Sequence, residues 1–472
     1  MYEKIRKLHF VGIGGIGMSG IAELMINLGY QVSGSDPIGN ARTQRLAELG
    51  AVIQTSHDAQ NVIGCDVVIR SSAVGPDNPE IQAARNYHIP VAKRAEMLAE
   101  LMRIKYGIAI AGTHGKTTTT SMVASILGEA GMDPTIVNGG IVKALGSNAR
   151  LGNGDFLVAE ADESDGTFLK LFPTIAVVTN IEPEHMEHYG TLEVLRHAFL
   201  GFIEKIPFYG LGVICRDHPE TRALLPQLTD KRIISYGFDE ESDIRAVGQE
   251  RRDQRNCFTV QRRTPITGAM TTLGELRLAQ PGNHNALNAL AAVAVGLELD
   301  IPWSDISSAL DHFKGVQRRF DILLDSPVRS VIDDYAHHPT EIMATLKAAR
   351  GVYPQERRIV AIFQPHRYSR LIALFEAFLN AFSDADLVLV DRVHSAGERP
   401  PENHFPQGEL IPLLEGIHQH CNIPTMALPA GENWREALEG LLLPGDVLVF
   451  LGAGSITHRA RDYAGSWSYK VS

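Results

Sequence analysis

Short apolar runs alternate with amphipathic stretches along nearly the whole chain, the pattern of parallel strands joined by crossover helices. Leu8–Ile13 predicts a strand, and the segment after it carries Ile21, Leu24, Met25 and Leu28 at helical spacing before Gly29. Tyr30–Ser33 and Val67–Arg70 predict further strands. A second start comes at Gly107–Ala111, followed by a helix with Val123, Ile126, Leu127 and Ala130 on one face that stops at Gly131. Strands are then expected at Phe156–Ala159, Thr174–Thr179 and Gly212–Cys215, and an alanine-rich helix at His284–Leu299. The third section predicts strand Arg329–Ile332, helix Thr340–Ala349, strand Arg358–Phe363, helix Ser369–Phe382 and strands Asp386–Val390 and Val447–Leu451. The polar stretch Asp239–Glu275 is assigned no element. The reading is an α/β protein of three domains, with boundaries at 1–106, 107–315 and 316–472.

The length of 472 residues agrees, at roughly 100–200 residues per domain. A net charge of −11 argues against a general nucleic-acid binder, which would carry a basic face. It leaves anionic small molecules open, because a local pocket can be positive on an acidic protein. Without a run of 18 apolar residues, and with a start that leads directly into a strand, neither a membrane span nor a secretory signal is expected. Cys65, Cys215, Cys257 and Cys421 are far apart and form no CxxC pair, so they read as reduced thiols of a cytoplasmic protein.

Many of the 43 glycines cluster. The first cluster, Gly12-Ile13-Gly14-Gly15-Ile16-Gly17, has GxGxxG spacing between a strand and a helix, with Asp36 nineteen residues on. Such a loop lets backbone N–H groups approach a diphosphate at a helix N-terminus, so Gly12, Gly14, Gly15 and Gly17 are candidate contacts. The ligand stays open between a nicotinamide dinucleotide and a nucleotide sugar. The second cluster, Gly112-Thr113-His114-Gly115-Lys116-Thr117, is a shortened phosphate loop, since Ile110 stands where the longer pattern has glycine. Its amides wrap phosphate oxygens, Lys116 cancels their charge, and Thr117, followed by Thr118, can ligand Mg²⁺. The first and last domains are therefore expected to be Rossmann-like, and the central one P-loop ATPase-like with a parallel or mixed sheet.

Glu160, Asp162, Glu163 and Asp165 follow a strand, where open α/β sheets bind ligands, and could complete a Mg²⁺ shell begun by Thr117. Thr179-Asn180-Ile181-Glu182-Pro183-Glu184-His185-Met186-Glu187-His188 interleaves histidine and carboxylate in a way that suits a divalent ion.

Together, Gly-Thr-His-Gly-Lys-Thr, the strand end at Glu160 and Asn-Ile-Glu-Pro-Glu-His resemble the Mur ligase family, ATP-dependent enzymes that build the peptide of bacterial cell-wall precursors. Gly282-Asn283-His284-Asn285-Ala286-Leu287-Asn288, Gly315-Val316-Gln317-Arg318-Arg319-Phe320 and Asp333-Asp334-Tyr335-Ala336-His337-His338-Pro339 agree, and the resemblance runs from residue 8 to about residue 455. Within the family, the opening His9-Phe10-Val11-Gly12, the doubled His337-His338 and Phe363-Gln364-Pro365-His366-Arg367-Tyr368-Ser369-Arg370 are similar to the member that joins L-alanine to UDP-N-acetylmuramate.

The resemblance implies ATP and Mg²⁺ as cofactors, with UDP-N-acetylmuramate and L-alanine as substrates. It places UDP-sugar on Gly12, Gly14, Gly15, Gly17, Asp36 and Tyr335. ATP falls to Gly112, Thr113, His114, Gly115, Lys116, Thr117, Thr118, His284, Asn285, Asn288, Arg319 and Asp334. One Mg²⁺ falls to Thr117 and Glu160 and a second to His185, and the catalytic residues are Lys116, His337, Arg367 and Arg370, with Tyr335 and the last three facing the sugar-lactyl and alanine groups. Where several relatives carry a carbamoylated lysine, this chain reads Phe199-Leu200-Gly201, with Lys205 the nearest lysine, so that feature is not carried over.

The expected reaction moves the γ-phosphoryl of ATP to a carboxylate, and the amine then displaces phosphate. The last domain is expected to close over the other two at Gly315, in a monomer or homodimer. Three other readings compete. One is a sister ligase that attaches a ready-made tripeptide for recycling; the second is a nicotinamide-dependent oxidoreductase; the third is a non-catalytic P-loop regulator.

Overall fold

The computed structural model describes residues 5–71, 73–144, 147–401, 405, 410–431 and 433–471. It contains three sheets, distributed over two compact units. Unit 1 comprises residues 1–250, 257–278 and 285–314; unit 2 comprises 251–256, 279–284 and 315–472.

The first sheet is built from β1 (Lys7–Val11), β2 (Gln31–Ser35), β3 (Val52–Gln54), β4 (Val67–Arg70) and β5 (Val91–Lys93) in the order β3-β2-β1-β4-β5. All of its pairings are parallel. Period-3.6 spacing puts Ile21, Leu24 and Met25 of helix Ile16–Asn27 in its core; Leu28, at the helix end, is exposed instead.

The second sheet has ten strands: β6 (Tyr106–Ala111), β7 (Thr135–Val142), β8 (Ser147–Arg150), β9 (Phe156–Glu160), β10 (Ile175–Val178), β11 (Leu211–Cys215), β12 (Ile233–Gly237), β13 (Ile244–Arg252), β14 (Arg255–Arg263) and β15 (Met270–Leu278). Their order is β15-β14-β13-β12-β11-β10-β6-β9-β7-β8. Strand β6 lies between β9 and β10, parallel to both, so three carboxyl ends stand side by side. The stretch Asp239–Glu275, given no element from its pattern, forms β13, β14 and most of β15; solvent on one face explains the polar composition.

The third sheet, in unit 2, holds β16 (Asp321–Asp325), β17 (Ser330–Asp334), β18 (Ile359–Phe363), β19 (Leu387–Val390), β20 (Thr425–Ala427) and β21 (Val447–Leu451). Its order is β16-β17-β21-β18-β19-β20, with β16 antiparallel to β17. The central strands are buried on both faces, as their continuous apolar runs require. The expected helix Ser369–Phe382 is two helices, Tyr368–Ala373 and Phe375–Leu379, broken where Leu374 leaves helical geometry at φ −115° and ψ 20°. No helix among the described residues is long and apolar enough to cross a membrane. All four cysteines are free thiols, Cys215 and Cys257 buried.

A buried carboxylate ties the first sheet to helix Pro79–Asn86. Glu80, fully enclosed, meets His9 Nε2 at 3.1 Å and His57 Nδ1 at 2.7 Å, and accepts from Ser35 Oγ at 2.6 Å and Asn61 Nδ2 at 2.7 Å. Burial opposes its charge, but these four partners overcome burial and hold the carboxyl down at about 2. A depressed carboxyl stabilises the fold above its unfolded value and loses that contribution as pH falls through the folded one. Glu80 therefore contributes about 3 kcal/mol that disappears between roughly pH 4.5 and 2. Denaturant unfolding of Glu80→Gln should show a deficit of that order at pH 7 that vanishes near pH 2; a pH-independent deficit would refute the assignment.

Candidate active site

The first glycine loop connects β1 to helix Ile16–Asn27, with Gly15 as its N-cap. Gly14 N–H donates to Asp36 Oδ2 at 2.9 Å, and Gly14 carbonyl accepts from Arg42 Nε at 2.6 Å and Asn40 Nδ2 at 3.3 Å. A methyl group at Gly14 would lie 2.7 Å from Asp36 and Asn40, so glycine is the residue that fits. Asp36 thus braces the loop. Next to it, a cavity of about 180 Å³ is lined by Arg70, Ser71, Lys93, Arg94, Asp165 and Thr167. Three cations at the carboxyl ends of β4 and β5 supply local positive charge that the net charge of the chain does not reveal.

The second loop leaves β6 and caps helix Lys116–Glu129 through Gly115, whose φ of +83° is left-handed. A side chain there would also strike Asn288 Oδ1. The segment after β10 grips this loop: His114 N–H donates to Asn180 Oδ1 at 2.8 Å, and His114 carbonyl accepts from Thr179 Oγ1 at 2.6 Å. Glu182 N–H donates to Thr113 Oγ1 at 2.8 Å. Lys116 Nζ donates to Glu163 Oε2 at 2.8 Å and Oε1 at 2.9 Å, and to the carbonyls of Gly112 at 2.5 Å and Thr113 at 3.2 Å. Burial works against the ammonium, but Glu163 and Asp162 outweigh it and raise its pKa above the usual lysine value. Thr117 and Thr118 are buried behind the loop.

The acidic turn follows β9. Asp162 pairs with Arg94 at 2.8 Å, Asp165 holds Thr167 N–H at 3.0 Å, and Glu163 holds Lys116. Glu160 differs from them: its Oε1 is buried and has no hydrogen-bond partner among the described residues, a need that a divalent cation would meet. A carboxylate such as Glu160 and a hydroxyl such as that of Thr117 are hard oxygen donors, a donor set that fits Mg²⁺. His185 sits at φ +57°, a strained position for a non-glycine residue, 3.6 Å from Glu187 and 4.0 Å from Glu184. It has no hydrogen bond or ion pair with Glu160 or Thr117 among the described residues. The buried Tyr189 joins the two segments by donating its hydroxyl to the Glu163 carbonyl. Phe199, in the stretch where the resemblance implies a lysine, is core, while Lys205 donates to the Leu169 carbonyl and lies 4.9 Å from the Phe172 ring centre.

Helix Asn283–Glu298 carries His284, Asn285 and Asn288. Asn288 accepts from Thr119 Oγ1 at 3.1 Å and donates to Asn285 at 3.4 Å, which anchors this helix beside the phosphate loop. His284 is pushed down to about 4 by burial, with Arg319 adding repulsion.

In unit 2, Asp334 is buried at the end of β17 and accepts from the N–H groups of Phe320 at 2.7 Å and Ala336 at 2.8 Å; burial lifts it to about 6. Tyr335 packs its ring against the guanidinium groups of Arg318 at 4.7 Å and Arg319 at 5.0 Å. His337 Nδ1 faces two acceptors, the Tyr335 carbonyl at 3.0 Å and Glu341 at 3.3 Å, an arrangement that suits a proton on Nδ1. Arg370 donates to His366 Nδ1 at 3.2 Å, and His366 stacks on His394 with centroids 5.4 Å apart. Arg367, at φ +65°, caps the helix that carries Arg370. His394, Arg94 and Asn138 were not singled out by spacing. Arg94 opens the helix after β5, and no short motif links it to the glycines.

A phosphate loop, an acidic turn beside it and a diphosphate-type glycine loop, each at the carboxyl end of a parallel strand, define a nucleotide-dependent α/β enzyme. Family models match three consecutive segments: "Mur ligase family, catalytic domain" over residues 7–106, "Mur ligase middle domain" over 110–296 and "Mur ligase, glutamate ligase domain" over 318–454. The chain belongs to the Mur ligase family. It is 56% identical over 472 residues to a UDP-N-acetylmuramate–L-alanine ligase of Magnetococcus marinus, covering 100% of this chain and 99% of that one. A relative of the same name from Pelobacter propionicus is 53% identical over 97% of each chain. The crystal structure of UDP-N-acetylmuramate–alanine ligase from Thermotoga maritima superposes with a TM-score of 0.80 at 31% identity, covering 98% of this chain and 99% of that one.

Burial, with the His337 ring and the guanidinium groups of Arg370 and Arg367 beside it, pushes His366 down to about 3. Its ring should stay neutral from pH 8 to pH 5, with an NMR titration midpoint near 3; a midpoint above 6 would contradict the geometry.

Proposed function

We propose that this protein joins L-alanine to the lactyl carboxylate of UDP-N-acetylmuramate, using ATP and releasing ADP and phosphate, in the synthesis of peptidoglycan precursor. The observation that carries the reading is the meeting of phosphate loop and acidic turn at Lys116–Glu163, in a chain that matches ligases of that name over its full length. The recycling ligase is less well supported, since likeness to a murein peptide ligase of Psychrobacter arcticus, at 24% identity and a TM-score of 0.70, speaks to fold alone.

The chemistry follows from charge. A carboxylate does not react with an amine, because its oxygen is a poor leaving group; phosphorylation turns that oxygen into phosphate. Two anions must meet for this, so catalysis rests on positioning and charge cancellation. The first glycine loop, with Asp36 as its brace, holds the UDP-sugar diphosphate, and Tyr335 faces the sugar. Gly112–Thr118 amides and Lys116 hold the β- and γ-phosphates, while His284, Asn285 and Asn288 serve the adenine side and Arg319 and Asp334 the ribose and phosphates. Thr117 and Glu160 would hold one Mg²⁺ and His185 a second, and these ions neutralise phosphate charge when bound. Arg367 and Arg370 bind the alanine carboxylate, and His337 Nε2 accepts a proton from the alanine ammonium, leaving the amine to attack the acyl phosphate. Domains 1–106, 107–315 and 316–472 divide these tasks as UDP-sugar, ATP and amino-acid modules. We place the reaction in the cytoplasm, in keeping with four free thiols, and in a monomer or homodimer.

Phosphate release should require UDP-N-acetylmuramate, ATP, Mg²⁺ and an amino acid together, with L-alanine preferred over serine and glycine. No release with any of the three would refute the reading. Lys116→Ala should lower turnover at least about a hundredfold with an unchanged circular dichroism spectrum; retained activity would show that the loop is misassigned.

A further inference from the structure

Lys116 in this structure does not point into open space for a phosphate. It is folded back over its own loop, onto the carbonyls of Gly112 and Thr113, and closed there by both oxygens of Glu163. Both side chains are nearly enclosed, at 16% and 3% exposure. Glu163 has no other side-chain partner among the described residues, and Arg94 is engaged by Asp162. A triphosphate must therefore take Lys116 away from Glu163. That leaves a buried carboxylate unpaired, next to Asp162 and the already unsatisfied Glu160, which is among the costliest arrangements in a protein interior.

We propose that Glu163 is a positioning residue, the counter-ion that Lys116 exchanges for nucleotide phosphate, and that the exchange makes nucleotide binding depend on a divalent cation. Metal-free nucleotide brings more negative charge to a turn that has just lost its cation. Nucleotide arriving with Mg²⁺ brings the positive charge that Glu163 and Glu160 need. The phosphate loop thereby rejects metal-free anions that its amides alone would accept. The inference rests on the phosphate loop being the ATP site, and it gives Glu163 a role apart from ligating Mg²⁺.

The test is direct binding of ADP to the full-length protein, by calorimetry, with Mg²⁺ and with EDTA. Unsubstituted protein should bind at least tenfold more weakly in EDTA. Glu163→Gln, which keeps the shape and removes the charge, should tighten binding in EDTA about tenfold and change binding with Mg²⁺ less than threefold. Glu163→Asp should retain the metal dependence. A Glu163→Gln protein with the unsubstituted ratio, or with equal losses under both conditions, overturns the proposal, because Glu163 would then only hold the loop together. ¹⁵N-lysine NMR of the unsubstituted protein needs no variant: the Lys116 Nζ signal should move on adding Mg²⁺ and ADP, and a fixed signal also overturns it. A protein that binds no ADP under either condition refutes the ATP-site reading itself, and the exchange with it.

Discussion

Lys116 is a buried cation, and a buried cation has to be matched wherever it points. That requirement organises the centre of the molecule. The loop that carries Lys116 leaves β6, the acidic turn that matches it leaves β9, and the residues that clamp the loop, Thr179, Asn180 and Glu182, leave β10. These segments are neighbours because β6 runs parallel between β9 and β10, which sets three carboxyl ends at one edge. Parallel strands need crossovers, and each crossover begins at that edge, so phosphate amides, carboxylates and cations are brought together by connectivity and not by closeness in sequence.

The same logic of local compensation applies elsewhere. Around the first sheet, Glu80 keeps its charge in the interior because four polar groups surround it, and Arg70, Lys93 and Arg94 gather around one cavity. In unit 2 the solution is reversed. His366 lies among cations and is held neutral, so that it accepts from Arg370 instead of competing with it for an anion. An acidic chain with a net charge of −11 can thus serve strongly anionic substrates, since what a ligand meets within a few ångströms outweighs the screened total.

The strands and most helices were legible from hydrophobic spacing, because apolar runs of β6, β10 and β21 are buried on both faces and have no alternative use. The pattern failed where burial is one-sided or local geometry intervenes. Strands β13 to β15 lie in a polar stretch whose pattern assigned no element, and Leu374 breaks what spacing predicted as one helix. Both glycine loops were legible in the same way, since a tight turn at a helix N-terminus leaves glycine at fixed offsets. Their partners were not: Arg94 reaches Asp162, Asn138 reaches Thr117, and His394 stacks on His366, each from a distant part of the chain.

By itself, then, the sequence determined which residue types were available for phosphate, metal and proton chemistry, and which segments would be strand, helix or phosphate turn. These follow from spacing along one stretch of backbone. Only the tertiary structure decided how the charges are matched: that Asp36 braces its loop, that Glu160 keeps an oxygen unsatisfied among the described residues, that Glu163 holds Lys116, and that His337 turns Nδ1 to the Tyr335 carbonyl. Pairing of that kind depends on distance in space, and the order of strands in a sheet, which fixes that distance, is not written in any single segment.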